Sequence, residues 1–457
     1  MVINFATSIV LARLLTPAEI GIFSVAFVFA GLLRTIRELG IGAYIVQEPD
    51  LTEERLRSAF GVAIFVSLLT AGAVAVLAPF VGTFYRESGI TSVLLVVAAT
   101  FVLAPLGSTT LALLRRDMRF KEISIAELFA TVIQSIAGVA LAWLGFSYMS
   151  LAWSSLIGII ASVLIAMYYR PASTPWLPGF AEWRRVWSFC RFASASSLIG
   201  NMNGAASDLV LGRMLNMESV ALFNRAQSLA DLIGPILFRA INAVSLPYFV
   251  KAKKDGDDLG ELYFRSSALM AAISLPTYCV LGLLAKPIVQ LLYGAPWVGS
   301  IPILQILCFA AVIRAPIALS TQILTAIGQV KRLFVLDCQA LVVKVALAIA
   351  AAPFGLQMVA WSFCLSSLLL TLQRVHVTAT VLKTRRIDAW RAVATSFLPS
   401  ALASVGPLAL IQTDLSPLVL LPVAGLLAAV GWLAGALIQP GHIKDEILRL
   451  RSQRPSS

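Results

Sequence analysis

Runs of about twenty apolar residues follow one another along this chain with only short breaks, and no other feature limits its fold so strongly. A run of that length matches the hydrocarbon core of a bilayer, where every backbone polar group must be satisfied within the segment. Charged residues make up 13% of the chain and hydrophobic ones 59%, whereas soluble domains carry roughly 25% charged residues. The runs are too long and continuous for the alternating strands of a membrane barrel. The chain reads as an all-α integral membrane protein.

Helices are expected at about 1–15, 18–38, 59–82, 90–114, 123–144, 148–169, 188–212, 220–249, 262–285, 301–327, 333–353, 356–382, 392–412 and 416–438, about fourteen spans. Loop charge tests that count. One set of alternate loops holds Arg55, Arg57, Arg115, Arg116, Arg119, Lys121, Arg170, Arg184, Arg185, Arg191 and Lys251. It continues with Lys253, Lys254, Lys331, Arg332, Lys383, Arg385, Arg386, Arg391 and the tail residues Lys444, Arg449, Arg451 and Arg454. The opposite set holds only Arg13, Arg86, Arg213 and Lys286. Basic loops mark the cytoplasmic side, so both termini are expected there. The net charge of +12 is accounted for by those loops, and nucleic acid is not an expected partner. The first span has about 15 residues, roughly 22 Å of helix, and it lacks a basic flank. A missing N-terminal piece is the expectation.

The chain also repeats itself. Leu11–Ala26 aligns without gaps to Leu211–Ala226, with Leu, Arg, Leu, Phe and Ala coinciding. A weaker echo sets Ala152-Trp-Ser154 against Ala360-Trp-Ser362. The first pair follows the first and the seventh helix, which is the mark of a parallel repeat of six helices. The division expected is an N-lobe over 1–170, an interfacial linker over 171–187, a C-lobe over 188–383, two further helices over 384–440 and a tail over 441–457. The linker carries Pro171, Pro175, Pro178, Trp176, Trp183 and Arg184-Arg185. Proline breaks a helix there, and the aromatic and basic residues suit an inner-leaflet surface. The last two spans carry no charge except Asp414 between them, so they read as lipid-facing or peripheral.

Polar residues interrupt the grease most around 192–242. Ser194, Ser197, Asn201, Gly204 and Asp208 recur at steps of three and four, as do Asn224, Ser228, Asp231, Pro235, Arg239 and Asn242. That spacing places each set on one helix face. Polar faces so long are costly in hydrocarbon unless they meet water or each other. Asn201, Asp231 and Arg239 are therefore candidates to line a cavity between the lobes.

Ionisable residues also fall inside the spans or at their ends. The basic ones are Arg34, Arg37, Arg225, Arg239, Arg265, Arg314, Lys344 and Arg374; the acidic ones are Glu38, Glu127, Asp208, Asp231 and Asp337. An unpaired charge at mid-membrane costs about 2.5–3.5 kcal/mol on insertion scales. Arg34 and Glu38 share a helix face; snorkelling suits Arg37 as well as a cavity role does, and it is the better reading for Arg265, which is within reach of the inner surface. Arg225 and Asp208 are placed to pair across the central hairpin. Arg239, Arg314 and Lys344 lie deeper, so a polar cavity is the better reading, and Arg374 is intermediate. Cations in such a cavity favour an anionic cargo, and guanidinium forks suit phosphate. Asp208 and Asp231 are candidates for handling a coupling cation or proton.

Several chemistries lack material. There is no G-x-x-x-x-G-K-[ST], and Gly40-Ile-Gly42 lacks the rest of a dinucleotide fingerprint. The two histidines, His376 and His442, stand far apart, and the five cysteines form no C-x-x-C pair. No metal or other cofactor is expected, and no catalytic constellation.

The order and spacing of several motifs resemble a known family. They are Leu11-Ala-Arg-Leu-Leu-Thr-Pro-Ala-Glu-Ile-Gly-Ile-Phe23, Leu39-Gly-Ile-Gly-Ala-Tyr-Ile-Val-Gln47 and Arg115-Arg-Asp-Met-Arg-Phe-Lys121. Asp208-Leu-Val-Leu-Gly212, Leu222-Phe-Asn-Arg-Ala226, Pro247 and Tyr293-Gly-Ala-Pro-Trp297 complete the set. Together they resemble the polysaccharide transporter (oligosaccharide flippase) branch of the multidrug/oligosaccharidyl-lipid/polysaccharide exporter superfamily. The resemblance implies two pseudo-symmetric six-helix lobes around a central cavity, two extra C-terminal helices and alternating access. It implies a bacterial inner-membrane flippase, not an enzyme, that moves undecaprenyl-diphosphate-linked oligosaccharide repeat units for exopolysaccharide, capsule or O-antigen. Membrane lipids, a polysaccharide polymerase and a co-polymerase are the further partners it implies. A multidrug cation exporter of the same superfamily is the alternative, and it calls for an acidic cavity; a peptidoglycan-precursor flippase is another close relative.

Overall fold

A computed structural model describes the backbone of residues 2–38, 40–171, 174–175, 177–413 and 415–438, and their side chains except at 2, 36, 38, 188–200, 233–240, 242 and 243. The side chains of Ser194, Ser197, Pro235, Arg239 and Asn242, and the tail with His442, lie outside the described residues.

Helices and short connections account for the described chain. In order they are α1 (Val2–Leu14), α2 (Pro17–Glu38), α3 (Ile41–Gln47), α4 (Glu53–Tyr85), α5 (Ser88–Arg116), α6 (Phe120–Trp143), α7 (Met149–Tyr168), α8 (Trp183–Met214) and α9 (Met217–Asp255). They continue as α10 (Leu259–Leu283), α11 (Ala285–Leu292), α12 (Ser300–Ile313), α13 (Ser320–Ala326), α14 (Val330–Ala351), α15 (Leu356–Leu382), α16 (Arg386–Ala394), α17 (Phe397–Ile411) and α18 (Pro417–Ile438). Among the described residues, ten helices are long and apolar enough to span a bilayer, or eleven if α12 and α13, bent by 49°, form one span. The expected fourteen would need α1, α8 and α9 as well.

The chain divides into two compact units, residues 1–221 and 222–457. In the first, α4 lies along α5 with small residues at the contact: a Cβ on Gly82 would stand 2.1 Å from the Thr91 hydroxyl of α5, which donates to the Ala78 carbonyl at 3.2 Å. The helix α8, which the repeat assigns to the second lobe, packs within this unit against α2, α3 and α4. Two glycines permit that packing. A Cβ on Gly21 would stand 1.8 Å from the Met217 carbonyl oxygen, and one on Gly212 would stand 2.9 Å from Val25. Gly21 and Gly212 lie within the two aligned copies of the repeat, so the copies touch where side chains are smallest.

In the second unit, α10 is the common support. It packs against α12, α16 and α17, and the Trp432 indole of α18 donates to the Ala272 carbonyl at 2.7 Å. The last hairpin, α17 with α18, closes through Gly431 and Gly435 against Leu402 and Pro399. The break between α12 and α13 frees backbone groups that hydrocarbon cannot satisfy, and the buried Tyr263 hydroxyl donates to the Pro316 carbonyl there at 3.1 Å.

Candidate functional site

Within the first unit, α2, α3, α4, α5 and α8 enclose a cavity of about 1050 Å³. Ligand sites for drug-sized molecules run roughly 300–1,000 Å³, so this one admits a larger head group. Along α2, Phe27, Gly31, Arg34 and Thr35 reach it at helical spacing, and Arg37 joins them one turn on. Helix α5 contributes Ser108, Thr109 and, at its end, Arg115; α8 contributes Asn201. Arg34 and Arg115 are exposed, while Arg37 is half-buried with its guanidinium 5.2 Å from the Phe101 ring centroid. The Asn201 amide donates to the Thr35 hydroxyl at 2.5 Å and ties α8 to α2.

Three arginines and no carboxylate stand among the described lining residues. Such a wall holds a positive potential in a partly desolvated space, where guanidinium forks can make paired hydrogen bonds to a phosphate or carboxylate. Phe27, Val28 and Leu32 make the other part of the lining apolar. The cavity is thus built for an amphipathic anion.

Of the residues singled out in the sequence, Arg34, Arg37 and Asn201 converge on this cavity. The others take different places. Arg225 lies between two aromatic rings, its guanidinium carbon 5.3 Å from the centroids of both Tyr293 and Trp297. That stacking is worth about 2 kcal/mol where water is excluded. It fixes the Tyr293–Trp297 motif to α9. Arg374 forms an ion pair with Asp337 and donates to the hydroxyls of Ser320 at 3.3 Å and Thr321 at 3.2 Å. Lys344 sets its ammonium 4.8 Å from the Phe363 ring centroid. Arg314 is exposed at the α12–α13 break, and Tyr278 lies within electrostatic reach of both Arg314 and Asp231. Asp208 is buried in the first unit, near enough to Tyr85 to act on its hydroxyl. The Arg239 side chain is outside the described residues.

Two features escaped the sequence reading. Arg115 counts among the basic loop residues by its position, yet α5 continues two residues further than expected and carries it to the cavity. The second is α3, a seven-residue helix between the expected second and third spans, too short for any span criterion. Gly40, at φ 67° and ψ 12°, turns the chain into it, and this left-handed geometry favours glycine. Just past its end, the buried Glu48 carboxylate accepts from Arg55 at 3.1 Å and Arg185 at 2.8 Å, and Arg55 also reaches Glu182 at 3.1 Å. Burial, helped by Glu48, holds the Tyr44 phenol of α3 above its ordinary range. The spacing of Glu48, Arg55, Glu182 and Arg185 gives no local signal, because the partners are set together by the fold.

Residues 10–302 match the family model described as polysaccharide biosynthesis protein. Among curated proteins, the chain is similar to the teichuronic acid biosynthesis protein TuaB of Bacillus subtilis (strain 168), 23% identical over 73% of this chain and 70% of that one. It is similar to the lipopolysaccharide biosynthesis protein WzxC of Escherichia coli (strain K12), 25% identical over 67% and 63%. The succinoglycan biosynthesis transport protein ExoT of Rhizobium meliloti (strain 1021) is 24% identical over 73% and 67%. Among solved structures, the lipid II flippase MurJ in an inward closed conformation shares the fold with a TM-score of 0.77, at 14% identity over 97% of each chain. An inward-facing multidrug resistance MATE family transporter of the MOP superfamily does so with a TM-score of 0.68, at 16% identity over 83% of this chain and 94% of that one. The fold is that of membrane transporters, and the chain belongs to the polysaccharide biosynthesis protein family.

Proposed function

We propose that this protein is a flippase that carries undecaprenyl-diphosphate-linked oligosaccharide repeat units from the cytoplasmic to the periplasmic leaflet of a bacterial inner membrane. The observation that carries the reading is the cavity of the first unit, with Arg34, Arg37 and Arg115 on one part of its wall and apolar residues on another. A lipid diphosphate is an anion joined to hydrocarbon, and this lining offers a partner to each part. The relatives are named for teichuronic acid, lipopolysaccharide and succinoglycan biosynthesis, the last as a transport protein. A multidrug cation exporter would need carboxylates in this cavity, and the described lining has none.

In this reading the two lobes of the repeat work by alternating access, with both termini cytoplasmic. Arg34, Arg37 and Arg115 hold the diphosphate, and Asn201 orients the sugar end. Arg239, Arg314 and Lys344 are further candidates for contact with the anionic cargo. Asp231, near Tyr278, and Asp208 are the candidates for ion or proton coupling.

The test is genetic. Deleting the gene should stop surface polysaccharide while lipid-linked repeat units accumulate inside the cell, and the wild-type gene should restore export. Unchanged polymer in the deletion strain, with no accumulated precursor, would refute the reading.

A further inference from the structure

The short helix α3 is a wall of the arginine cavity whose leaving end is clamped by charge. Gly40, Ile41, Gly42, Ala43 and Ile45 all line the cavity. Tyr44 is not among the lining residues, and with Ile41 and Ile45 it packs into a core that includes Leu56, Ala59 and Val62. The entering end turns on Gly40 in left-handed geometry, with Gly42 two residues later. The leaving end is held by charge. The Arg116 guanidinium donates to the carbonyls of Ile45 at 2.8 Å and Val46 at 3.5 Å, which a helix terminus leaves unpaired, and to those of Glu48 at 2.6 Å and Pro49 at 3.3 Å just beyond it. The buried Glu48 then accepts from Arg55 on α4 and from Arg185 at the start of α8.

We propose that Glu48 is a positioning residue that holds α3 closed against the cavity and ties this wall to the segment leading into α8. That segment is itself pinned to α4: the Gly179 amide donates to the Arg57 carbonyl at 2.9 Å, the Glu182 amide donates to the Ser58 hydroxyl at 3.1 Å, and Arg55 pairs with Glu182. A shift of the α8 start therefore pulls on Arg185, Arg185 pulls on Glu48, and α3 swings about Gly40. The wall of the cavity and the segment that joins the repeats move as one linked piece. Glu48 is not among the residues that line the cavity, so its role is to place α3 and not to touch cargo. The inference rests on the cavity being the cargo site, but its mechanics can be read without transport.

The experiment uses the full-length chain in membrane vesicles, with the native cysteines replaced and one reporter introduced. Ala59→Cys lies in the core on which α3 rests, and Ala78→Cys, on the same helix α4, serves as the control; both positions are fully buried. With Glu48 intact, an impermeant maleimide should label neither position quickly. E48Q keeps the shape and removes the charge, and it should raise labelling at residue 59 at least fivefold while residue 78 stays protected. R185Q removes one of the two partners and should act in the same direction, which keeps the test open if E48Q fails to accumulate. Labelling at residue 59 that does not rise, or that rises together with residue 78, would overturn the proposal. Loss of the flippase reading would show instead as normal export from arginine-cavity variants, with these labelling rates untouched.

Discussion

Arg374 on α15 holds the carboxylate of Asp337 on α14, and the same guanidinium reaches Ser320 and Thr321 on α13. One side chain thus ties three helices together where the chain resumes after its break. Arg374 is 12% exposed and Asp337 38%. Removing the carboxylate leaves a largely buried cation, a loss that costs about 3–5 kcal/mol for a fully buried pair and nearer 2–3 kcal/mol with one partner half-exposed. D337A should lower the thermal midpoint of the purified protein by several degrees, and R374A in the D337A background should add little further. Additive effects of the two changes would show that the pair is not coupled.

In the proposed reading the cavity arginines act on anion binding and not on folding, since Arg34 and Arg115 are exposed. R34Q, R37Q and R115Q should each reduce polymer export about tenfold, as expected for one charge-assisted hydrogen bond of roughly 1.5–3 kcal/mol. Membrane abundance, measured by immunoblot, should stay within twofold of wild type. An equal fall in abundance and export would assign these residues to stability instead.

Much of this was legible in the sequence. Apolar run lengths gave the class, and the repeat around Leu11 and Leu211 contains Gly21, where the chain meets the Met217 backbone, and Gly212, which meets the side chains of Val25 and Tyr85. Helical spacing brought out Arg34, Arg37 and Asn201. What stayed hidden depended on the fold. Arg225 reads like any intramembrane cation, yet Tyr293 and Trp297, about seventy residues on, enclose it. Arg115 reads as an orienting loop charge because two residues of helix at the end of α5 separate that role from lining a cavity. The clamp on α3 joins Glu48 to Arg185, and no periodicity reports a pairing over such a distance.

Gly21 tests the contact between the copies of the repeat. A Cβ there would fall 1.8 Å from a backbone oxygen that no rotamer change can move. G21V should sharply reduce protein recovered from membranes. G31V should have little effect on recovery, because a Cβ on Gly31 would meet nothing within 4 Å. Normal recovery of G21V would show that α2 and the α8–α9 turn are not in close contact.

Arg225 should tolerate lysine poorly, because an ammonium cannot stack on two rings as a planar guanidinium does. R225K should be less stable than wild type, and R225A less stable again by about 2 kcal/mol, read from thermal unfolding in detergent. A stability order with alanine above lysine would remove the stacking from the account.

The central claim is that the arginine-lined cavity moves a lipid-linked anion across the bilayer. Proteoliposomes carrying a polyprenyl-diphosphate-linked oligosaccharide test it most directly, with an impermeant glycosidase added outside to cut the exposed sugars. Wild-type protein should make nearly all of the sugar susceptible within minutes, while R34Q/R37Q/R115Q should leave about half protected, as in protein-free vesicles. Equal digestion with the triple variant and the wild type would contradict the account.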